Sequence, residues 1–396
     1  MSMISKLLKR KAEPAIHERV EVVNSTAAFT AWGGDPYAND IYRGAVDSVA
    51  RNVGKLRGGC VIKHQDRATP DTNSRLNRLL QEKPNEYMSA YDMLYKLTTH
   101  YYMHSNAFAY LDKDSGGNVC GIYPIGALGV EFVANTTGEL YCRFCFHNGQ
   151  QATLAYRDII HLRRFFNGND LLGDDNSAIS PTLEVADVQA QGIATGIKTA
   201  ANIRGILKYT QIMSPEKLKE EKDRFIHDYL SISNEGGVIA TDQKYEYVPI
   251  SINPATIDHE QLSAIKTRIY SYLGIHESIV SSSYTEDEWA AFYESVIEPI
   301  ALQLSLEFTN KVFTDRERAF GNMIMFESGR LQFSSNSTKV NLIKELVPYG
   351  LLTINQALEI LNLPSVADGD RRLQTLNVVD AERANQYQLG GGSDGT

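Results

Sequence analysis

The stretch Gly274–Ile300, GIHESIVSSSYTEDEWAAFYESVIEPI, joins two segments whose apolar residues recur at helical spacing. Gly274 is typical of a residue that ends a helix, because glycine adopts the left-handed conformation found there without strain. A polar run, first rich in hydroxyl groups and then acidic, lies between the two segments. Its members are Ser281, Ser282, Ser283, Tyr284, Thr285, Glu286, Asp287 and Glu288. From the residues alone, this run is either an ordinary surface loop or an exposed functional segment.

The helix after this run has a well-marked start. Thr285 and Glu288 have the spacing of a capping box, in which each side chain binds the backbone N–H of the other residue. Pro299 lies further along and lacks the N–H of one helical hydrogen bond, so we expect a kink in a long helix that ends near Phe313. The apolar residues of this helix share one face: Trp289, Phe292, Val296, Ile300 and Leu304.

Two more helices precede this stretch and flank a small insert. Residues 215–230 have the pattern of a charged amphipathic helix. Residues 232–253 are typical of strand, turn and strand. Residues 255–273 predict a second helix, which ends at Gly274.

The first half of the chain alternates predicted helices with β-hairpins. RGG at 57–59 is expected to stop the helix that starts near Ile41, before a strand begins. Asn148 and Gly149 give the strongest hairpin turn. Ser180 and Pro181 predict a helix start, because proline is well tolerated in the first helical turn. The order of elements favours an α+β fold.

The C-terminal part predicts two short helices and a polar tail. The second helix starts with a capping box formed by Thr353 and Gln356, and Pro364 ends it. After about Asp380 the sequence is polar and rich in glycine, which predicts disorder.

Composition limits the class of protein. The chain has 396 residues and a formal net charge of -9, so its surface as a whole cannot neutralise nucleic-acid phosphates, and any such contact must be local. No stretch approaches the roughly 20 apolar residues that span a bilayer, and no signal peptide precedes the first elements, so a soluble protein is expected. The four cysteines do not form a disulfide framework at this length.

Several sequence patterns resemble those of metal-binding or phosphate-binding sites but do not meet the requirements of such sites. Cys142 and Cys145 have metal-ligand spacing but lie in a predicted strand, where residues three apart point to opposite faces. Gly168–Asp175 has the glycine spacing of a phosphate-binding loop, but Asp174 and Asp175 stand where lysine and serine or threonine are required. The carboxylates of this loop, with Asp170, are more typical of a solvated loop than of a cation site. We therefore predict no catalytic, cofactor-binding or metal-binding residue.

Three polar residues at the end of a predicted strand leave alternatives open. His161 favours a hydrogen-bonded structural histidine over a catalytic base. Arg163 and Arg164 are either paired or solvated arginines, or contacts to phosphate or to a neighbouring subunit.

The ordered series of these segments resembles the portal proteins of tailed bacteriophages, in particular the shorter type found in phages with long non-contractile tails. The resemblance covers roughly residues 40 to 380. The stretches that carry it are NAFAYLDKDSGGNVCGIYPI, RDIIHLRRF with the junction from Gly173 to Ser180 and Pro181, the helix–insert–helix at 215–273, FYESVIEPIALQLSLEFTNKVF, LVPYGLLTINQALEILNLPSVADGD and LNVVD. Two places depart from the family pattern. Ile275, His276 and Glu277 replace Val-Pro-Pro, and Asn355 to Leu358 replaces an Asn-Glu-x-Arg cluster.

The resemblance implies an α+β, portal-type subunit with a mixed α/β wing, a two-helix stem, a small β-containing clip, a long kinked helix and a helical crown. The implied divisions are an N-terminal arm (1–44), wing (45–213), first stem helix (214–231), clip (232–254), second stem helix (255–274), channel loop with long kinked wing helix (275–337), crown (338–380) and tail (381–396).

The resemblance also implies a function without catalysis. The subunit would form a ring, usually of about twelve copies, at one capsid vertex of a virion assembled in the host cytoplasm. Double-stranded DNA would pass through it during packaging and ejection. The implied partners are other copies of the chain, the terminase large subunit, the head–tail connector, and the major capsid and scaffold proteins, with no membrane. An ATP-driven nucleic-acid motor or nuclease component, and a helical adaptor protein, are the alternatives.

The resemblance assigns candidate sites. Residues 281–288 match the loop that projects into the channel, and we hypothesise that its hydroxyls and carboxylates let DNA slide without adhesion. Lys266 and Arg268 are candidates for stem residues that face the channel. The clip residues expected to dock partners are Glu235, Asp242, Lys244, Tyr245 and Tyr247.

Overall fold

The computed structural model describes residues 21–26, 35–64, 67–202, 205–209, 214–225, 245–249, 259–327, 336–361 and 363–374. Its α-helices are α1 (Asp40–Val53), α2 (Arg75–Gln81), α3 (Ala90–His104), α4 (Ser180–Asn202), α5 (Pro215–Phe225), α6 (His259–Leu273), α7 (Glu277–Val280), α8 (Glu286–Phe292), α9 (Glu298–Val312), α10 (Asp315–Ala319), α11 (Asn336–Leu346) and α12 (Ile354–Ile360).

The strands are β1 (Glu21–Thr26), β2 (Arg57–His64), β3 (Arg67–Pro70), β4 (Asn106–Lys113), β5 (Val119–Ile125), β6 (Gly129–Ala134), β7 (Leu140–Cys145), β8 (Gln151–Ala155), β9 (Ile159–Arg163), β10 (Gly205–Tyr209), β11 (Tyr245–Pro249), β12 (Asn322–Glu327), β13 (Tyr349–Thr353) and β14 (Arg372–Gln374). All pairings among them are antiparallel.

The chain divides into two compact units, residues 179–269 and the remainder. In the smaller unit, β10 pairs with β11. The strand predicted in the second half of the insert is therefore present as β11. Its partner among the described residues, β10, precedes α5 instead of lying in the insert, and the first strand predicted for the insert falls outside the described residues.

Among the described residues, the larger unit contains four sheets, with the strand orders β1-β6-β7-β8, β5-β4-β9, β12-β2-β3 and β13-β14. Phe108 of β4 and Phe144 of β7 meet edge to face, with ring centroids 5.3 Å apart, in a buried hydrophobic cluster. The predicted hairpin turn at Asn148 and Gly149 is confirmed, because it connects β7 with β8 and Gly149 has a φ of 75°. Local turn chemistry therefore predicts this hairpin, whereas the order of strands in the sheets was not predicted.

The prediction that RGG at 57–59 stops the first helix is wrong. Helix α1 ends at Val53, and Arg57 to Gly59 are the first residues of β2. A Cβ atom on Gly58 would lie 2.7 Å from the Phe326 ring and 3.0 Å from Leu80 Cβ. Glycine is required here because β2 passes close to two core side chains, not because the chain turns.

The helix over 286–312 continues through Pro299 with a local change of geometry. Tyr293–Ile297 forms a π-helical turn, and the Glu298 N–H donates to the Tyr293 carbonyl five residues earlier. This turn lies close to Pro299, which lacks a donor of its own, so the hydrogen-bond pattern of the helix changes next to the proline. The kink itself stays a prediction. Of the predicted apolar face, Phe292, Val296, Ile300 and Leu304 are buried, and Trp289 is half-buried.

Polar side chains of α9 cover the open edge of β9. Gln303 Oε1 accepts from the Arg163 N–H at 3.1 Å, and its Nε2 donates to the Arg163 carbonyl at 3.0 Å. Glu307 Oε1 accepts from the His161 N–H at 3.3 Å. These residues, four apart on one helix face, satisfy backbone groups that an edge strand would otherwise leave unpaired.

His161 is a structural histidine, as the sequence favoured. Asn106 Nδ2 donates to carbonyl groups, so Asn106 Oδ1 must accept from His161 Nε2, 3.1 Å away. His161 Nδ1 then accepts from the Tyr156 hydroxyl at 3.3 Å. Burial lowers the pKa of His161 well below its ordinary value, and the nearby charges of Arg163 and Lys311 lower it further.

This buried histidine predicts a loss of stability in mild acid. Because its folded-state pKa lies below the unfolded value, the unfolded chain binds more protons as pH falls through about 6.5, and the free energy of unfolding drops by up to about 1.4 kcal/mol per pH unit for each such group. Burial likewise lowers the pKa of His100 to about 3 and that of His104 to about 4.

Urea unfolding measured between pH 7 and pH 5 tests this. We expect the free energy of unfolding to fall over this range, and His161→Gln to reduce the slope although it also lowers stability at pH 7. His147→Gln, at an exposed position, should leave the slope as in the wild type. A wild-type protein equally stable at both pH values would contradict the prediction.

Candidate functional site

The predicted loop follows a sharply ended helix. Gly274 has a φ of 77°, and the Ile275 N–H donates back to the Tyr270 carbonyl at 2.9 Å, which ends α6 as the sequence predicted. His276 then caps α7, since its Nδ1 accepts from the Ser278 N–H. The departure from the family pattern at 275–277 therefore gives a helix end followed at once by a helix start.

The turn between α7 and α8 is held by its own hydrogen bonds. The Ser281 hydroxyl donates to the Glu277 carbonyl at 3.0 Å and contacts the Ser283 hydroxyl at 2.8 Å. The Ser283 N–H donates to the Ser278 carbonyl at 2.9 Å. Ser282 takes the left-handed conformation, with a φ of 59°. These local bonds therefore hold the backbone of the turn.

The predicted capping box is present and involves the last acidic residue of the loop. Glu288 Oε2 accepts from the Thr285 N–H at 2.7 Å, and the Glu288 N–H donates to Thr285 Oγ1 at 3.3 Å. Glu288 Oε1 accepts from the Ser278 hydroxyl at 3.2 Å. The Thr285 N–H bond is the main reason why the pKa of Glu288 lies below its ordinary value. Glu288 is therefore part of the loop's framework.

The remaining loop side chains face solvent. Residues 281–287 are all exposed, and the Tyr284 ring packs against Trp289 with centroids 5.2 Å apart. The stretch 274–300 contains six carboxylates and no lysine or arginine. Three of these carboxylates, Glu286 to Glu288, lie in the first turn of α8, where they also stabilise the positive end of the helix dipole. The exposed surface combines hydroxyl groups with negative charge.

Removing the cap should loosen this loop. Thr285→Ala loses the hydroxyl that accepts from the Glu288 N–H, and we expect the local stability to fall by about 1 kcal/mol. Hydrogen exchange of the backbone amides of residues 281–292 measures this as roughly a fivefold faster exchange. Asp287→Asn keeps the capping box and is the matched control. Equal exchange in Thr285→Ala and the wild type would show that the cap does not order the loop.

The other predicted site residues lie in the smaller unit. Lys266 is half-buried and Arg268 is exposed, both on α6. Tyr245 and Tyr247 lie on β11, opposite Tyr209 and Leu207 of β10. Glu235, Asp242 and Lys244 fall outside the described residues. The structure thus assigns an element to four of these seven residues.

Arg163, the last residue of β9, and Arg164, which follows it, both contact aromatic rings. Arg164 donates to the Tyr272 carbonyl at 2.7 Å, and its guanidinium lies 4.6 Å from the Tyr102 ring centroid. Arg163 lies over the Phe166 ring at 4.5 Å. The paired interpretation is the one that these contacts support.

Two carboxylates of the loop Gly168–Asp175 accept hydrogen bonds from nearby backbone N–H groups and so stabilise local turns. Asp174 Oδ1 accepts from the Gly168 N–H at 3.0 Å, and Asp175 Oδ1 accepts from the Ser177 N–H at 3.0 Å. Cys142 is buried, which raises the pKa of its thiol, and Cys145 is half-buried. Across the described ranges, no group of three histidine, cysteine, aspartate or glutamate side chains could hold a metal ion. None of the helices in those ranges is long and apolar enough to cross a membrane.

The fold is similar to that of two solved structures. A chain from the neck of an empty gene transfer agent particle has a TM-score of 0.62 and 14% identity, over 87% of this chain and 97% of that chain. A crystal structure of an HK97 family phage portal protein from Corynebacterium diphtheriae has a TM-score of 0.50 and 12% identity, over 76% of this chain and 97% of that chain. These likenesses define the class of fold, that of a portal-type subunit.

Sequence comparison identifies the family. The phage portal protein family matches residues 41–362, and the chain belongs to that family. The portal protein of Enterobacteria phage HK97 is 23% identical over 350 residues, which cover 80% of this chain and 77% of that protein. The probable portal protein of Lactococcus phage p2 is 23% identical over 195 residues, which cover 47% of this chain and about half (52%) of the length of that protein.

Proposed function

We propose that this protein forms a ring at one vertex of a phage capsid and that double-stranded DNA enters and leaves through the centre of the ring. The observation that carries the proposal is the family match over residues 41–362. The likeness of fold to nearly the whole length of a particle-neck chain supports it. In this proposal the protein is a component of the virion, assembles in the host cytoplasm, and contacts the major capsid and scaffold proteins.

In this account the ring carries out no catalysis of its own. The terminase large subunit would supply the work of packaging, and the head–tail connector would later take its place, both docking on the clip at 232–254. The alternative of an ATP-driven motor or nuclease needs a phosphate-binding loop. The stretch Gly168–Asp175 has the glycine spacing of such a loop, but Asp174 and Asp175 stand where the lysine and the hydroxyl residue belong, which argues against this alternative.

The loop at 281–287 would line the channel. Its exposed hydroxyl and carboxylate groups suit a surface that must not hold DNA. Acidic groups repel phosphates, whereas lysine or arginine at the same positions would release counterions on contact and bind DNA tightly. The absence of lysine and arginine from 274–300 is the feature of the sequence that supports this role.

Electron microscopy of negatively stained protein, with light scattering to count the subunits, tests the proposal. We expect rings of about a dozen copies with an open centre, formed either alone or with scaffold or capsid protein. A small closed dimer that persists with those partners would overturn the proposal and favour the adaptor alternative. ATP hydrolysis by the purified protein would favour the motor alternative.

A further inference from the structure

In the C-terminal segment 336–374, the described residues form regular elements without a hydrophobic interior. It comprises α11, β13, α12 and β14, and β13 pairs with β14 in a two-stranded sheet. Among its described side chains, no hydrophobic one is buried. By contrast, α9 and β12, which precede it, contribute Phe308 and Ile324 to the core. A two-stranded sheet without a covered hydrophobic face is only marginally stable in water. We therefore expect another protein surface to pack against the apolar side chains of this segment.

Large hydrophobic side chains protrude from the segment. Six of them are 40% to 60% exposed: Val340, Tyr349, Leu351, Leu363, Val366 and Leu373. Monomeric proteins rarely expose so many large apolar side chains within one short segment, and such clusters mark interaction sites.

The backbone that carries these side chains is nevertheless ordered by specific bonds. Asn355 Oδ1 accepts from the Val366 N–H at 2.9 Å, and its Nδ2 donates to Asp370 Oδ1 at 2.9 Å. The Asn355 N–H donates to the Gly369 carbonyl at 2.8 Å. One asparagine therefore fixes the loop that displays Leu363 and Val366, so the apolar surface has a defined shape.

The charge of the segment indicates which partner fits. It carries four basic residues (Lys339, Lys344, Arg371, Arg372) and four acidic ones (Glu345, Glu359, Asp368, Asp370), so its net charge is zero, whereas the whole chain carries -9. DNA would require an excess of positive charge. Copies of a neutral segment can approach one another without net repulsion, and exposed residues of opposite sign, such as Lys344 and Glu359, can pair between them.

The shape of the segment also suits contact with itself. A cavity of about 470 Å³ is lined by Asn355, Gln356, Glu359, Leu363, Ser365 and Asp370. The Tyr349 ring protrudes from the same segment and is 60% exposed. A projection and a hollow on one segment permit a head-to-tail contact, which repeats around a closed ring.

We propose that the apolar surface of segment 336–374 is covered by the same segment of neighbouring copies, so that this segment completes its hydrophobic interior only when the ring assembles. The inference rests on the proposed ring. It adds a specific interface, in which Tyr349, Leu351 and Leu373 pass from water into the contact between subunits.

Two measurements on the full chain test it. Hydrogen exchange compares the amides of 336–374 in dissociated subunits and in rings, and we expect exchange to slow at least about tenfold on assembly. The double variant L351N/L373N should reduce the fraction of protein in rings by about tenfold or more, because each side chain loses apolar contact across the interface. Its subunits should melt at the wild-type temperature, because both side chains are exposed before assembly. Leu128→Asn, at an equally exposed leucine outside the segment, is the matched control.

Four results would contradict the inference, and they differ in what they say about the proposed function. Protection of 336–374 already in dissociated subunits would show that the cover comes from the same chain and overturn the inference. Protection that appears only with capsid or scaffold protein bound would show that another protein supplies it, and this also overturns the inference. Normal rings from the double variant would overturn the inference but leave the proposed function standing. A wild-type chain that forms no ring with any partner would contradict both.

Discussion

Gly173→Ala is expected to lower the free energy of unfolding by more than about 3 kcal/mol. A Cβ atom at this position would lie 2.1 Å from the Arg164 carbonyl oxygen and 2.6 Å from the Ser105 carbonyl oxygen. Both are backbone atoms, and the Arg164 N–H donates to that same Ser105 carbonyl at 2.8 Å, so neither can move without breaking the pairing at the end of β9.

The substitution would also disturb a buried amide network. Asn106 Oδ1 accepts from the Gly173 N–H at 2.9 Å, and Asn106 Nδ2 donates to the Gly173 carbonyl at 3.1 Å. Asn106 in turn holds His161. A shift of the backbone at Gly173 therefore leaves several buried polar groups without partners, each at a cost of about 1–3 kcal/mol.

Urea unfolding measures the effect, with Gly44→Ala as the control. Gly44 lies in α1, and nothing stands within 4 Å of a Cβ added there. We expect this variant to gain about 0.5–1 kcal/mol, because alanine loses less backbone freedom than glycine on forming a helix. If the free energy of unfolding of Gly173→Ala lay within about 1 kcal/mol of the wild-type value, the carbonyl oxygens of Arg164 and Ser105 could not lie as close to this position as described.

Changing Glu286 and Asp287 together to lysine is expected to slow DNA packaging by roughly tenfold or more, because the ring would repeat every new phosphate contact in each copy. Glu288 is left unchanged, since its carboxylate holds the capping box and its replacement would confuse charge with folding. The assay is the amount of DNA packaged over time by particles assembled with the variant, at two salt concentrations. The defect should shrink at the higher concentration, because salt screens phosphate contacts.

Two control variants distinguish an effect of the charge of the loop from an effect of the net charge of the protein. The neutral pair E286Q/D287N should package DNA at a rate between the wild type and the lysine variant. E82K/E184K makes the same change in net charge at exposed positions elsewhere and should package normally. Wild-type packaging by the lysine variant would contradict the role assigned to the loop, whereas an equal defect in both lysine variants would assign the effect to overall charge.

Local patterns predicted much of the fold because their physical causes are local. The capping boxes at Thr285 and Thr353, the helix end at Gly274 and the hairpin turn at Gly149 depend only on residues a few positions apart. The buried face of the helix after the loop follows from its helical spacing.

The remainder depends on residues distant in sequence. Nothing in the sequence around Gln303 shows that it covers the edge of β9, about 140 residues earlier. The sequence predicts a helix stop at Gly58 because the Phe326 ring, which leaves room only for glycine at this position, lies far along the chain. The strands β13 and β14 were not predicted, since each is short and their pairing crosses a helix.

Within the candidate loop, the capping-box spacing already distinguished Glu288 from Asp287, because it assigns the Glu288 side chain to the Thr285 N–H. The structure confirms this bond. It adds the Ser278 hydroxyl as a second donor to Glu288, a contact across ten residues that the spacing did not predict.

A reconstruction of the assembled ring by electron cryomicroscopy tests the central claim most directly, because it locates residues 281–288 relative to the ring axis. We predict that these residues of every copy point toward the axis and form the channel wall at or near its narrowest part. Loops that lie on the outer surface of the ring, or between subunits away from the axis, would contradict it.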